Sequence, residues 1–138
     1  MSNLGRVLII AGSDSGGGAG VQADIKTVTA LGGYAATAIT AVTVQNTLGV
    51  TGVHPIPREI IEAQARAVLD DIGADAIKTG MLGDASTVAL VARLLAEYAI
   101  PAVIDPVMVA KGGASLLARE AVAAVRERLV PLAALLTP

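Results

Sequence analysis

The chain contains no cysteine, no phenylalanine and no tryptophan. Without cysteine it can form neither a disulfide nor a thiolate nucleophile, and it cannot build a zinc site with thiolate ligands. A single histidine, His54, excludes any cluster of histidine ligands. Because no nucleophile or second ligand lies near it in the sequence, we expect His54 to be a surface or hydrogen-bonded residue.

Aromatic residues are also scarce, at 1% of the chain, although hydrophobic residues of all kinds make up 54%. The core must therefore be built from Ala, Val, Ile and Leu, as is typical of closely packed α/β layers. A chain of 138 residues is long enough for one domain with a core of its own. We expect residues 1–138 to form a single α/β domain.

Strong charge of either sign is missing as well. The net charge is −2 and the isoelectric point is near 5.2, which argues against nucleic acid or an anionic membrane as a partner. Charged residues or glycine interrupt every apolar run before the roughly 18 residues that a membrane-spanning helix needs. The first residues show no signal-peptide cleavage region. The sequence favours a soluble, cytoplasmic protein with a small molecule as its partner.

The most informative stretch lies at the start of the chain. Residues 7–10 are four large aliphatics in a row, and five glycines follow within residues 12–20. Apolar residues then recur at helical spacing up to Leu31, and Gly32 and Gly33 mark the end of that helix. This pattern predicts a strand buried on both faces, in the middle of a parallel sheet, followed by a glycine loop and a helix.

The glycine loop matches neither of the best-known phosphate-binding motifs. It lacks the Gly-Lys-Ser/Thr ending of a P-loop, and position 21 is valine where the dinucleotide fingerprint has glycine. Two interpretations stay open. The loop is either a tight strand-to-helix turn, or a turn whose backbone amides approach a flat or anionic ligand near the positive end of the helix.

The rest of the chain alternates strand and helix patterns. Strands are predicted over 34–44, 50–56, 76–79, 102–105 and 132–136, and helices over 58–72, 85–98 and 119–129, with Asp84 or Ser86 as a helix cap. Two prolines, Pro55 and Pro57, restrict the strand over 50–56 to a sheet edge. Alternation of this kind indicates parallel βαβ crossovers.

Polar side chains and methionines follow the predicted strands, where ligands of open parallel sheets bind. Gln45 offers a donor and an acceptor to a nitrogen heterocycle, and Asp24 can accept a hydrogen bond from an amine or hydroxyl. Met81 and Val107 can supply apolar faces for a planar ring. Each residue also has an ordinary explanation, as a loop amide, a solvated helix residue or core filler.

Two lysines and the end of the chain complete the sequence evidence. Lys78 and Lys111 flank strand-end loops where an anionic phosphate could bind, although lone lysines are usually exposed. The sequence contains no nucleophile–base pair and no carboxylate pair with clear spacing. It stops at Thr137 and Pro138, directly after a predicted strand, where the other strand ends lead us to expect a further ligand contact. We therefore expect a truncated chain.

Four motifs in order resemble a known family. They are AGSDSGGGAGVQAD at 11–24, ITAVTVQNT at 39–47, KTGML at 78–82 and DPVMVAK at 105–111. Together they resemble the opening of the hydroxymethylpyrimidine/phosphomethylpyrimidine kinases of thiamine biosynthesis, which are ribokinase-like proteins. The resemblance implies an α/β, ribokinase-like three-layer fold with a mostly parallel central sheet, incomplete in this chain, which would be the N-terminal part of a pyrimidine kinase domain.

The resemblance also implies a chemistry and a set of site residues. In that family the γ-phosphoryl group of ATP is transferred to the hydroxymethyl group of a pyrimidine, and the monophosphate is then phosphorylated again. ATP and Mg²⁺ are the implied cofactors. Asp105 matches a residue near the magnesium and phosphates, and Lys111 lies in a loop that faces the nucleotide. The residues that match the pyrimidine pocket are Gly12, Asp24, Val42, Gln45, Met81 and Val107.

The resemblance places the catalytic residue beyond Pro138, because family chains are about twice as long. The missing part normally supplies magnesium-holding side chains and the anion hole, so we expect the 138-residue chain alone to be inactive. Kinases of this family are often dimers, which makes a homodimer possible. Two alternatives remain: a pyridoxal kinase, and a non-catalytic half-domain that binds a pyrimidine.

Overall fold

The computed structural model describes residues 4–108, 113 and 115–138, and Lys111 lies outside them. The strands and helices in chain order are β1 Arg6–Asp14, α1 Gly20–Ala30, β2 Tyr34–Asn46, β3 Gly49–Pro55, α2 Arg58–Ala67, β4 Ala76–Thr79, α3 Ala85–Tyr98, β5 Ala102–Ile104, α4 Arg119–Ala124 and β6 Leu135–Leu136. A π-helical turn, Val68–Ile72, extends α2, and α4 continues through a second π-helical turn, Val125–Leu129, into a 3-10 turn, Val130–Leu132.

The six strands form one sheet in the order β3-β2-β1-β4-β5-β6. Every neighbouring pair is parallel except β2 and β3, which form an antiparallel hairpin at one edge. This confirms the mostly parallel sheet and the edge position of the strand predicted over 50–56. It also confirms that the first strand is internal, because β1 lies between β2 and β4.

Helices cover both faces of the sheet, so the molecule has three layers. Leu8 and Ile10 point into the larger core cluster, which α2, α3 and α4 complete. Ile9, between them, packs with Val21 of α1 on the other face. All three β1 side chains have no solvent exposure. The alternation of side chains along a strand explains why four consecutive aliphatics are needed at this position.

The core is aliphatic, as the composition predicts. Its largest fully buried side chains are Leu, Ile, Val and one threonine, and Tyr98 is an aromatic residue at its border. Asp84 caps α3, since its Oδ1 accepts a hydrogen bond of 2.8 Å from the Thr87 amide. No helix within the described ranges combines the length and the apolar character required to cross a membrane.

Several predicted strand boundaries differ from the structure: β1 extends beyond the aliphatic run at 7–10, β2 reaches Asn46 rather than position 44, and β3 covers Gly49–Pro55 rather than 50–56. Two further strands are shorter than predicted. The last strand does not begin at Leu132, which belongs to the 3-10 turn, but at Leu135. Pro131 lies in that turn, and a proline has no N–H to donate to a sheet ladder. The strand predicted to reach Asp105 ends at Ile104, which leaves the Asp105 carboxylate beyond the sheet edge. Both differences shorten the strands without changing their order.

Arg6 and Asp75 join the start of β1 to the residue before β4. The Asp75 carboxylate accepts from the backbone N, Nε and Nη2 of Arg6 at 2.8, 3.1 and 3.0 Å. These bonds, from the Arg6 side chain first and then its backbone, lower the pKa of Asp75 to about 2. The pair thus fastens the two parallel strands at the end opposite their carboxyl termini.

This pair makes stability depend on pH. Because the pKa of Asp75 is lower in the folded state, its contribution is present above the unfolded pKa of about 4 and is lost as pH falls toward 2. Asp75→Asn should lower the thermal unfolding midpoint at pH 7, and the difference from wild type should shrink between pH 4 and pH 2. Asp71 is exposed, so Asp71→Asn is the matched control, and it should change neither the unfolding midpoint nor its dependence on pH. A constant difference across this range would contradict the assignment.

Candidate functional site

A cavity of about 340 Å³ lies at the carboxyl ends of β1, β2, β4 and β5. Its volume lies within the range of small-molecule sites. The parallel strands bring together residues that are far apart in sequence, as the strand-end argument predicts. Six of the eight site residues implied by the resemblance line this cavity, namely Gly12, Asp24, Gln45, Met81, Asp105 and Val107.

Val42 is not among the residues that line the cavity. Thr43 and Gln45 of the same strand do line it. Successive side chains of a strand point to opposite faces, so Val42 lies on the other face of β2, where it is 46% exposed. The structure therefore does not group Val42 with the other residues implied by the resemblance. Lys111 falls outside the described residues.

The glycine loop is closed by the carboxylate of Asp14, which is only 5% exposed. Its Oδ1 accepts from the Gly16 amide at 2.7 Å, and its Oδ2 accepts from the Gly18 and Ala19 amides at 2.9 and 2.8 Å. These three amides immediately precede α1. They are already paired with an internal anion, so for them the tight-turn interpretation holds and the anion-binding one is wrong. An acidic residue two positions before a glycine run is a turn signal, because its side chain can accept from the backbone N–H two residues on, and this signal could have identified Asp14.

Two glycines allow the loop and Met81 to pack over the end of β1. Gly20 has a φ of +59°, and a Cβ there would collide with the backbone oxygen of Gly12. At Gly12, a Cβ would lie 3.0 Å from the sulfur of Met81. The buried hydroxyl of Thr40 donates a 2.6 Å hydrogen bond to the Met81 carbonyl and so fixes that residue from the other side. Because position 12 has no side chain, Met81 has room to line the cavity.

Gln45 is held by two hydroxyl residues that the sequence analysis did not identify. The backbone N–H of Gln45 donates to Ser15 Oγ at 2.8 Å, and that hydroxyl donates to the backbone carbonyl of Gln45 at 2.6 Å. The Thr43 hydroxyl lies 2.8 Å from the Ser13 carbonyl and 3.1 Å from Oε1 of Gln45. These contacts position the Gln45 side-chain amide at the cavity wall, where its remaining donor and acceptor can meet a ligand.

Asp24 and Lys78 form an ion pair at the cavity wall. The distance between Lys78 Nζ and Asp24 Oδ2 is 2.7 Å, and the side chains are 23% and 22% exposed. Both residues line the cavity. The structure therefore gives Asp24 a cationic partner within the chain, and it gives Lys78 a partner other than the anionic phosphate considered from the sequence.

The described residues contain no group of three or more His, Cys, Asp or Glu side chains that could hold a metal ion. Asp105 contributes a single carboxylate to the cavity. Mg²⁺ in phosphoryl-transfer sites is commonly held by one or two carboxylates together with phosphate oxygens and water. The Asp105 carboxylate fits such an ion as one ligand among several.

Comparison with known proteins decides the family. Residues 14–138 match the family model described as phosphomethylpyrimidine kinase. The chain belongs to this family. It is 55% identical over 139 residues to the hydroxymethylpyrimidine/phosphomethylpyrimidine kinase of Haemophilus influenzae, covering 100% of this chain and 52% of that protein. The chain spans about half the length of the curated kinases that it matches, and it corresponds to their N-terminal half.

Solved structures show the same relationship. The phosphomethylpyrimidine kinase of Clostridium difficile is 44% identical with a TM-score of 0.90, over 97% of this chain and 58% of that one. Pyridoxal kinase of Staphylococcus aureus, solved with AMP-PCP and pyridoxal, is 36% identical with a TM-score of 0.86, over 99% of this chain and 49% of that one. The fold is therefore ribokinase-like, as the sequence motifs imply.

Removal of the Asp14 carboxylate tests its role in the glycine loop. Asp14→Ala leaves three amides without their acceptor beside the cavity, so it should lower the free energy of unfolding by at least about 2 kcal/mol. Asp14→Asn retains an acceptor oxygen without the charge, so its free energy of unfolding should lie between those of Asp14→Ala and wild type. Chemical denaturation measures both. A change below about 0.5 kcal/mol for Asp14→Ala, the range of ordinary surface substitutions, would contradict the role.

Proposed function

We propose that the protein carrying this chain transfers the γ-phosphoryl group of ATP to 4-amino-5-hydroxymethyl-2-methylpyrimidine and then phosphorylates the monophosphate. Membership of the phosphomethylpyrimidine kinase family supports this proposal. The observation that carries it is the meeting of Gly12, Gln45, Met81 and Val107 around one cavity of about 340 Å³. Such a volume suits a small heterocycle.

The chemistry of the cavity wall matches that of an aminopyrimidine. Met81 and Val107 offer apolar contacts to the two faces of a flat ring. The Gln45 amide can donate to a ring nitrogen while it accepts from the neighbouring exocyclic amine. Asp24 adds a carboxylate acceptor that Lys78 keeps in place. We propose these residues, with Gly12 beneath the ring, as the substrate-binding set.

ATP and Mg²⁺ are proposed as the phosphoryl donor and its metal ion. Support for ATP comes from the family, and from a structural relative solved with the ATP analogue AMP-PCP. When bound, Mg²⁺ would neutralise charge on the phosphates, and Asp105 is our proposed nearby carboxylate. Phosphoryl transfer depends mainly on positioning and on charge stabilisation. The contribution of this chain's residues is then to bind and orient the alcohol.

Pyridoxal is the alternative substrate. The structural relative from Staphylococcus aureus was solved with pyridoxal, and it matches 99% of this chain with a TM-score of 0.86. The pyridoxal ring is a heterocycle similar in size to the pyrimidine, so the cavity volume does not distinguish the two substrates. A non-catalytic pyrimidine-binding half-domain is the alternative for the 138 residues on their own.

Substrate preference distinguishes these proposals. The protein expressed from its intact gene should phosphorylate the hydroxymethylpyrimidine and its monophosphate with higher kcat/KM than pyridoxal, as a coupled ADP-release assay can measure. Gln45→Leu removes both amide contacts and should raise KM for the pyrimidine at least about tenfold. A preference for pyridoxal would instead support the alternative substrate.

The 138-residue chain alone provides a second comparison. We propose that it does not phosphorylate the pyrimidine, because the resemblance places the catalytic residue beyond Pro138. Binding of the pyrimidine without turnover would support the alternative of a non-catalytic half-domain. Isothermal titration with the pyrimidine, next to the same ADP-release assay, measures both properties. ATP-dependent phosphorylation by the purified chain would contradict this proposal.

A homodimer is our proposed assembly. The β2–β3 hairpin exposes apolar side chains, among them Val44 at 62% and Leu48 at 90%. A second copy that covers this face would remove these side chains from water. Light scattering should therefore give twice the chain mass for the protein from the intact gene, and Val44→Lys should shift it toward the monomer. A monomeric wild-type protein would contradict the assembly.

A further inference from the structure

The side chains around the cavity carry an uneven set of charges. Three carboxylates line it, from Asp14, Asp24 and Asp105. Asp14 is occupied by the amides of the glycine loop. Lys78 is the one cationic side chain among the described residues that line the cavity. The charge balance of the site therefore depends strongly on this lysine.

The structure holds the Lys78 ammonium in one place. Lys78 comes from β4 and Asp24 from α1, and their side chains meet at 2.7 Å with only about a fifth of each exposed. Gly80 makes room for the ammonium, because a Cβ at position 80 would lie 3.3 Å from Lys78 Nζ. The ion pair holds the ammonium on Asp24, and the absence of a side chain at position 80 leaves it the space that it occupies.

The proposed function sets two different demands on this cavity. Its first substrate is a neutral alcohol, whereas its second is a phosphate monoester with a charge of about −1.5 to −2 at neutral pH. A cavity of about 340 Å³ places every bound group within about one Debye length, near 8 Å, of its walls. Unpaired carboxylates in the wall would therefore repel the monophosphate and leave the neutral alcohol almost unaffected.

We propose that Lys78 is a positioning residue that fixes Asp24 and cancels its charge, so that one cavity accepts both the neutral alcohol and its anionic monophosphate. This inference rests on the proposed kinase function. Lys78 acts through Asp24: the carboxylate stays available as an acceptor for the ring, while its field at the phosphate is neutralised.

Steady-state kinetics with both substrates test the role of Lys78 in the protein expressed from its intact gene. Lys78→Gln leaves Asp24 unpaired and should raise KM for the monophosphate at least about tenfold, against about threefold or less for the alcohol. Lys78→Arg keeps the charge and should retain most of the affinity for the monophosphate that Lys78→Gln loses. Arg58→Gln removes the same charge from an exposed position away from the cavity and should leave the ratio of the two KM values unchanged.

A double variant separates neutralisation of Asp24 from direct phosphate binding. Asp24→Asn combined with Lys78→Gln removes one charge of each sign, so the ratio of the two KM values should return close to that of wild type, even if both values rise. A ratio that stays as high as in Lys78→Gln alone would overturn the proposal, because Lys78 would then act on the phosphate directly. Equal rises for both substrates in Lys78→Gln would also overturn it, since they indicate a merely structural role.

Calorimetric binding of the alcohol and the monophosphate without ATP distinguishes a failure of the proposed function from a failure of the role assigned to Lys78. A wild-type protein that neither binds nor phosphorylates the two pyrimidines would refute the proposed function and this inference with it. A wild-type protein that uses both, together with an unchanged ratio in Lys78→Gln, would refute the role of Lys78 alone.

Discussion

The site depends on one buried carboxylate and the three backbone amides that it binds. Asp14 ends β1, and its side chain turns back to accept from Gly16, Gly18 and Ala19. A loop this rich in glycine loses much conformational entropy on folding, so it needs strong local bonds to stay in one shape. Charge-assisted hydrogen bonds supply them. The loop in turn starts α1 at the position from which Asp24 reaches the cavity.

Much of this architecture is visible in the sequence because it follows from local patterns. The aliphatic run at 7–10 predicts a central strand, since only a strand covered on both faces needs four consecutive apolar side chains. Parallel strands place their carboxyl ends together, which is why Gln45, Met81, Asp105 and Val107 could be assigned to one edge of the sheet. These predictions use the order of the elements and are insensitive to small errors in their bounds.

Features that depend on pairs of distant side chains could not be predicted in this way. The partners Asp24 and Lys78 are 54 residues apart, and Ser15 and Gln45 are 30 apart. No periodicity links such pairs, because their meeting depends on how α1 packs on the sheet and on how β2 pairs with β1. Val42 is a different case: the resemblance places it in the pocket, but the alternation of side chains along β2, which is a local pattern, places it on the face opposite Thr43 and Gln45. Local signals therefore indicate where a site lies, and tertiary packing decides its charges and contacts.

Above all, we propose that the cavity at the strand ends binds a flat heterocycle. A crystal structure of the protein from its intact gene, soaked with the hydroxymethylpyrimidine, tests it most directly. The ring should lie between Met81 and Val107, with the side-chain amide of Gln45 within hydrogen-bonding distance of the ring edge and the Asp24–Lys78 pair intact. A ring bound elsewhere, for example in the groove between the glycine loop and the turn at 47–49, with this cavity empty, would contradict it.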